Sequence, residues 1–257
     1  MPRYKCVIAY DGTGFAGYQV QPEKRTVQSE LEAALGKMHK GASVKVTASG
    51  RTDAAVHAKG QVIHFDSPYG FPPANWLKAL NALLPEDITV LGIEEAAPDF
   101  HARFDTVGKE YRYIVLRSKH RDPFLRNYAC HYPHSLNIEA MRKAASYLTG
   151  KPYDFSSFCA SNTSVVDKVR TIYKIEIKED EEKLVFTFSG DGFLYNMVRI
   201  LTGTLLEIGN GKRQPEDIRS ILKQKDRRAA GKTAPGHGLY LWEVCYPEDG
   251  KNISHDN

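Results

Sequence analysis

In TASGRTDAAVHAKGQVIHF, residues 47–65, an arginine, a threonine and an aspartate sit in a glycine-led break between two β-like runs. A connection that only turned the chain would be served by Asn-Gly or Asp-Gly; this one carries charge. Asp53 can cap a turn or helix by accepting backbone N–H groups, or it can serve as a nucleophile or base. Arg51, two residues earlier, is not needed by a cap. In KEYRYIVLR the alternation puts Tyr111 and Tyr113 on one face and Arg112 on the other. Both rings suit a core, and both also suit a seat on which an extruded base could stack. In FLYNMVRILTGTLLEIG, Met197, Ile200, Leu201, Leu205 and Ile208 define one helix face, and Arg199 points away from it. Such an arginine is either solvated or closely packed. Its neighbours Gly203 and Leu206 do not form a solvent face, and a buried guanidinium would need a carboxylate partner.

Other residues narrow the chemistry. The four cysteines, Cys6, Cys130, Cys159 and Cys245, are too far apart for zinc or redox pairs. The run Cys130-His131-Tyr132-Pro133-His134 lacks a second ligand pair, so no metal is expected. YDGTGFAGYQVQP is glycine-rich but carries neither GxGxxG nor a phosphate-loop lysine, which argues against a nucleotide cofactor. Basic groups gather in two stretches that read as loops, Arg117 to Arg126 and Lys223 to Lys232. They are either solvated charge or phosphate contacts. The whole chain of 257 residues has 35 Lys and Arg against 31 Asp and Glu, a net charge of +4 that permits a polyanionic partner without requiring one. Charged residues from Arg3 onward and the lack of a long apolar run predict no signal peptide and no membrane span, hence a cytoplasmic protein.

The elements that must position these residues repeat in order. Periodicity predicts strands at 4–10, 44–49, 61–67 and 88–94, a helix after Thr26 with Leu31, Ala34, Leu35 and Met38 inward, and a helix over 74–84. Beyond Asp105 come strands at 109–117, 171–179, 184–188 and 239–246, with helices over 138–148, 196–209 and 218–223. Tyr173, Ile175 and Ile177 are expected on one face of their strand. Each half is therefore β-α-β-β-α-β, a ferredoxin-like order. The expected fold is α+β: two such halves joined into a broad mixed or antiparallel sheet, helices packed on it and a cleft between the halves. The expected division is 1–105, 106–248 and a flexible tail at 249–257. No RNP1-type aromatic motif is present, only the echo KLVFTFSG.

Taken together, YDGTGFAGYQ, GRTDAAVHAKGQVIHF, NALLP, FHARF, KEYRYIV, FLYNMVRILTGTLLEIG and APGHGLYLWEV resemble the TruA type of tRNA pseudouridine synthase over nearly the whole chain. The resemblance implies that Asp53 is the catalytic aspartate, Tyr111 the base-stacking tyrosine and Arg199 the arginine that pairs with the aspartate. It makes Arg51 a helper in flipping the nucleotide and Phe100, His101, Ala102, Arg103 and Phe104 a tRNA-contacting stretch. It further implies isomerisation of uridine to pseudouridine at positions 38, 39 and 40 of the anticodon stem-loop, without cofactor, by a homodimer. One departure is local. The family usually has Gly after Asp-Ala, where this chain has Ala55, so a left-handed backbone there would be strained. Two other readings differ in chemistry. A non-catalytic RNA-binding protein of duplicated ferredoxin-like units would tolerate loss of Asp53, and a nucleoside hydrolase would release free uracil and be indifferent to salt.

Overall fold

The computed structural model describes residues 1–163 and 165–247; the predicted tail at 249–257 lies outside them. The chain forms two compact α+β units, Met1–Val107 with the segment from Tyr240, and Gly108–Leu239.

The first unit runs β1 (Arg3–Tyr10), α1 (Val27–Met38), β2 (Thr47–Ala48), β3 (His57–Asp66), α2 (Pro73–Leu83) and β4 (Ile88–Ala96). β1 is central and antiparallel to both β3 and β4, while β2 pairs with β3. This is the ferredoxin-like order expected. α1 starts where Thr26 and Ser29 cap each other reciprocally, satisfying amides that the first turn leaves open. Its Leu31, Ala34 and Leu35 are buried as their spacing predicts. On α2, Trp76 is fully buried against Tyr4 and Phe65, with ring centroids at 5.1 and 5.4 Å.

The strand predicted over 44–49 is shorter, only Thr47–Ala48. Val44 and Val46 are buried, as alternation requires. The Val46 backbone, however, is bonded to α1: its N–H donates to Glu32 Oε1 (3.2 Å), and its carbonyl accepts from Gln28 Nε2 (3.3 Å). Helix side chains replace a sheet partner there, which a pattern of apolar residues cannot reveal.

The second unit runs β5 (Gly108–Leu116), β6 (Cys130–His131), α3 (Ile138–Ser146), β7 (Pro152–Asp154), β8 (Val169–Asp180), β9 (Lys183–Gly190), α4 (Met197–Gly209) and α5 (Asp217–Gln224). β9 lies between β5 and β8, antiparallel to both; β7 extends the edge of β8, and β6 runs parallel to β5. Leu184, Phe186 and Phe188 are fully buried along β9. On β8 the buried residues are Ile172 and Ile177, not one uniform face through Tyr173. A register shift between Ile172 and Lys174 inserts an extra residue and exchanges the faces. The final strand, β10 (Leu239–Cys245), pairs in parallel with β3 through Tyr240 to His57 and Leu241 to Ala58.

Candidate active site and RNA-contacting segment

Asp53 opens a four-residue turn at the mouth of β3, closed by Val56 N–H donating to Asp53 O at 3.2 Å. Ala55, third in the turn, has φ +61°, the left-handed conformation that disfavours a Cβ. The strain anticipated from its replacing glycine is therefore present. Thr52, beside the aspartate, is pinned through both backbone and side chain. Its carbonyl accepts from Tyr18 N–H (3.0 Å), and its hydroxyl bonds the Tyr10 phenol (2.8 Å). Burial pushes that phenol up to about 12, so it stays neutral at physiological pH. On the other flank Gln61 bridges Ser49 Oγ (2.7 Å) and Gly50 O (2.8 Å). Asp53 itself is half-buried and Arg51 is exposed.

The glycine-rich stretch after β1, rejected as a phosphate loop, is the brace of this turn. A Cβ on Gly12 would lie 2.1 Å from Val56 O, and one on Gly17, at φ +110°, 2.9 Å from Thr52 O. Gly12 N–H also donates to His57 Nδ1 at 3.0 Å. Sequence reasoning missed this role. The glycines were visible, but the backbone they approach is some forty residues away.

Tyr111 and Tyr113 share a face of β5, as alternation predicts, yet differ in surroundings. Tyr113 is fully buried and its hydroxyl donates to Pro235 O (2.8 Å). Burial, with Cys130 beside it, pushes this phenol well above its ordinary range. Its ring is so close to Gly238 that a Cβ there would sit 2.7 Å from it. Tyr113 is thus a core residue. Tyr111 keeps 8 % of its surface and meets Phe193 edge to face at 5.2 Å.

Arg199 lies in the first turn of α4, a helix buried nearly all round. The side expected to be bare is covered by the chain at 231–234. Arg199 Nε donates to Ala234 O (2.8 Å), and Ala234 N–H donates back to Arg199 O (3.0 Å). Further along, Gly231 N–H donates to Thr204 Oγ1 (2.9 Å) and Lys232 N–H to Glu207 Oε1 (3.0 Å). Gly203 permits this approach, since a Cβ on it would fall 1.7 Å from Lys232 O. The close packing inferred from Gly203 is what the structure shows.

The FHARF segment forms a small knuckle in the first unit. Phe100 and Ala102 are buried. Arg3 donates to Phe100 O (2.8 Å), Tyr246 Oη to Ala102 O (2.6 Å), and Ala102 N–H to His64 Nδ1 (3.1 Å). Burial, followed by the charges of Arg3 and His101, lowers the His64 imidazole to about 4, so it is a neutral acceptor. His101 Nδ1 accepts from the N–H groups of Arg103 and Phe104. Phe104 is 75 % exposed, stacked on His101 at 4.2 Å with the Arg103 guanidinium 6.0 Å from its ring. An exposed ring flanked by a cation is a fit surface for nucleic acid. Of the basic loops, Lys119, His120 and Arg121 are exposed, whereas Lys225 pairs with Asp154 and Arg228 with Asp226.

Asp53 and Arg51 thus belong to the first unit, Tyr111 and Arg199 to the second. Comparison with known proteins gives the family of the whole chain. The family model described as tRNA pseudouridine synthase matches residues 6–105 and 144–247. The chain is 58% identical over 247 residues to tRNA pseudouridine synthase A of Geobacillus kaustophilus, covering 96% of this chain and 95% of that one. It is 58% identical over 245 residues to the protein of that name from Bacillus pumilus, covering 95% and 99%. A crystal structure of a Cbf5-Nop10-Gar1 complex aligns with a TM-score of 0.34 at 13% identity, over 79% of this chain and 54% of that one, a likeness too slight to support inference. With a family model spanning both units and relatives matched nearly end to end, the chain belongs to the tRNA pseudouridine synthases, isomerases that convert uridine in tRNA to pseudouridine.

Proposed function

We propose that this enzyme acts on uridines 38, 39 and 40 of the tRNA anticodon stem-loop, with Asp53 as its catalytic carboxylate, Tyr111 as the ring that stacks on the uracil and Arg199 as the source of positive charge. The observation that carries the reading is the Asp53 turn: a half-buried carboxylate whose neighbour Thr52 is fixed through both backbone and side chain, on a turn that keeps a strained Ala55. Strain of this kind persists where the surroundings over-determine the backbone, commonly at sites of function.

The reaction conserves atoms. The bond from the sugar C1′ to uracil N1 breaks, the uracil turns, C5 bonds to C1′, and the C5 proton is lost while N1 gains one. Asp53 either attacks C1′, as in retaining glycosidases, or assists departure through a glycal. Tyr111 holds the detached base and accepts the C5 proton. A uridine inside a stem must first leave its stack, and Arg51, exposed beside the turn, fills the vacated place. The knuckle at Phe100–Phe104 contacts tRNA through its exposed Arg103 and Phe104, while buried Phe100 and Ala102 set its shape.

The enzyme acts in the cytoplasm as a homodimer that takes tRNA by shape and phosphate contacts. Among the described residues no helix is long and apolar enough to cross a membrane. The test uses tRNA transcripts with a single uridine at 38, 39 or 40, digested and assayed for pseudouridine, beside light scattering of the enzyme. Product at each position and a dimeric mass are expected. Product only at other positions, or a monomeric active enzyme, contradicts the proposal.

A further inference from the structure

A helix normally begins with an extended residue whose side chain accepts an amide of the first turn, an arrangement worth about 1 kcal/mol. α4 does not begin this way. Asn196, at its N-cap, is left-handed (φ 60°, ψ 6°), and its side chain makes no cap hydrogen bond. Its Oδ1 instead accepts from Arg199 Nη1 at 2.9 Å. Arg199 Nε is held separately, by Ala234 O at 2.8 Å. Two neutral acceptors therefore grip the guanidinium on two edges and leave it little freedom to rotate.

We infer that Asn196 is a positioning residue for the reaction: it forgoes its helix cap to orient the Arg199 guanidinium toward the reacting nucleotide. The inference rests on the role proposed above for Arg199. It explains why an asparagine stands here. The backbone requires a residue that tolerates the left-handed region, and the arginine requires an acceptor two bonds beyond Cβ on the residue three places earlier. Asn and Asp satisfy both demands, Gly satisfies the first alone, and Ala neither. A residue in an uncommon backbone state without the usual capping bond, next to a side chain with a chemical task, is where local stability yields to geometry.

The test uses purified full-length enzyme and tRNA at saturation. It reads single-turnover rate, tRNA dissociation constant and thermal midpoint for Asn196→Gly, Asn196→Asp and, as reference, Arg199→Leu. Misorientation of a reacting group by about 1 Å costs on the order of a hundredfold. Asn196→Gly should lower the single-turnover rate by about ten- to a hundredfold with tRNA affinity unchanged, and Asn196→Asp should restore most of it. Wild-type rate in Asn196→Gly, with Arg199→Leu inactive, overturns the inference but leaves the role of Arg199 intact. Loss of affinity and thermal midpoint in parallel with rate, unrestored by Asp, assigns Asn196 a merely structural role and also overturns it. Wild-type rate in Arg199→Leu removes the reading on which the inference stands.

Discussion

Around Asp53 the chain is fixed by main-chain hydrogen bonds between two loops, whereas around Arg199 a loop is fastened to one side of a buried helix. Both regions rely on glycines that let backbone approach backbone: Gly12 and Gly17 beneath the aspartate turn, Gly203 on the helix and Gly231 in the 231–234 segment laid on it. Both also hold one non-glycine residue in the left-handed region, Ala55 in the first and Asn196 in the second. The difference lies in what can give way. A loop against a loop has room to shift. A helix buried nearly all round, with its neighbour held by four hydrogen bonds, cannot.

The largest effect should come from Gly203→Ala. Alanine favours a helix over glycine by about 1 kcal/mol, so any loss must arise from the collision with Lys232 O, which would stand 1.7 Å from the new Cβ. A destabilisation of about 3 kcal/mol in urea unfolding is expected, with turnover falling as Ala234 O leaves Arg199. Gly12→Ala meets Val56 O at 2.1 Å in the more yielding region. It should cost about 1 to 2 kcal/mol by the same measurement. Equal losses would show that the two regions are equally rigid, and the reverse order would make the loops around Asp53 the more rigid of the two.

A smaller effect, confined to the first unit, depends on pH. His64 is neutral in the fold, lowered to about 4 by burial and by Arg3 and His101, which outweigh Asp66 and Asp105. The unfolded chain takes up that proton near the ordinary value of 6.5, so between about 6.5 and 4 it binds more protons than the folded chain. Stability should fall as pH falls through this window. Unfolding midpoints across the window test this. His64→Asn keeps an acceptor for Ala102 N–H and should flatten that part of the slope.

The smallest effect tests the strain itself. Ala55→Gly relieves about 1 to 2 kcal/mol of left-handed cost and restores about 0.4 to 1 kcal/mol of unfolded-chain entropy. The net should be a stabilisation of at most about 1.6 kcal/mol in urea unfolding. A destabilised variant would mean that Ala55 gains more from its surroundings than its backbone loses.

Much of this arrangement was legible in the residues, because amphipathic spacing is local. The faces of α1 and β9, the strand-helix order of the first unit and the packing beside Arg199 follow from local runs of residues. The resemblance implied the roles proposed for these residues, and the departure at Ala55 pointed to strain that the turn indeed carries. What could not be read depends on distant partners. Val44 to Val46 alternates like a strand, yet its backbone is satisfied by Gln28 and Glu32 of a helix. The bulge in β8 exchanges faces without any glycine to announce it. Alternation placed Tyr111 and Tyr113 together but could not show that Pro235 takes the hydroxyl of the second. Nor does an asparagine before a helix reveal that it serves an arginine one turn later instead of an amide.

We propose that Asp53 performs the chemistry, held by the turn on which it sits. The most direct test is release of tritium to water from tRNA labelled at uracil C5, by wild type and by Asp53→Ala, at enzyme concentrations where both bind the tRNA. Release by wild type, with loss of at least about a thousandfold in the variant, is the predicted result. Equal release by the two proteins would contradict it.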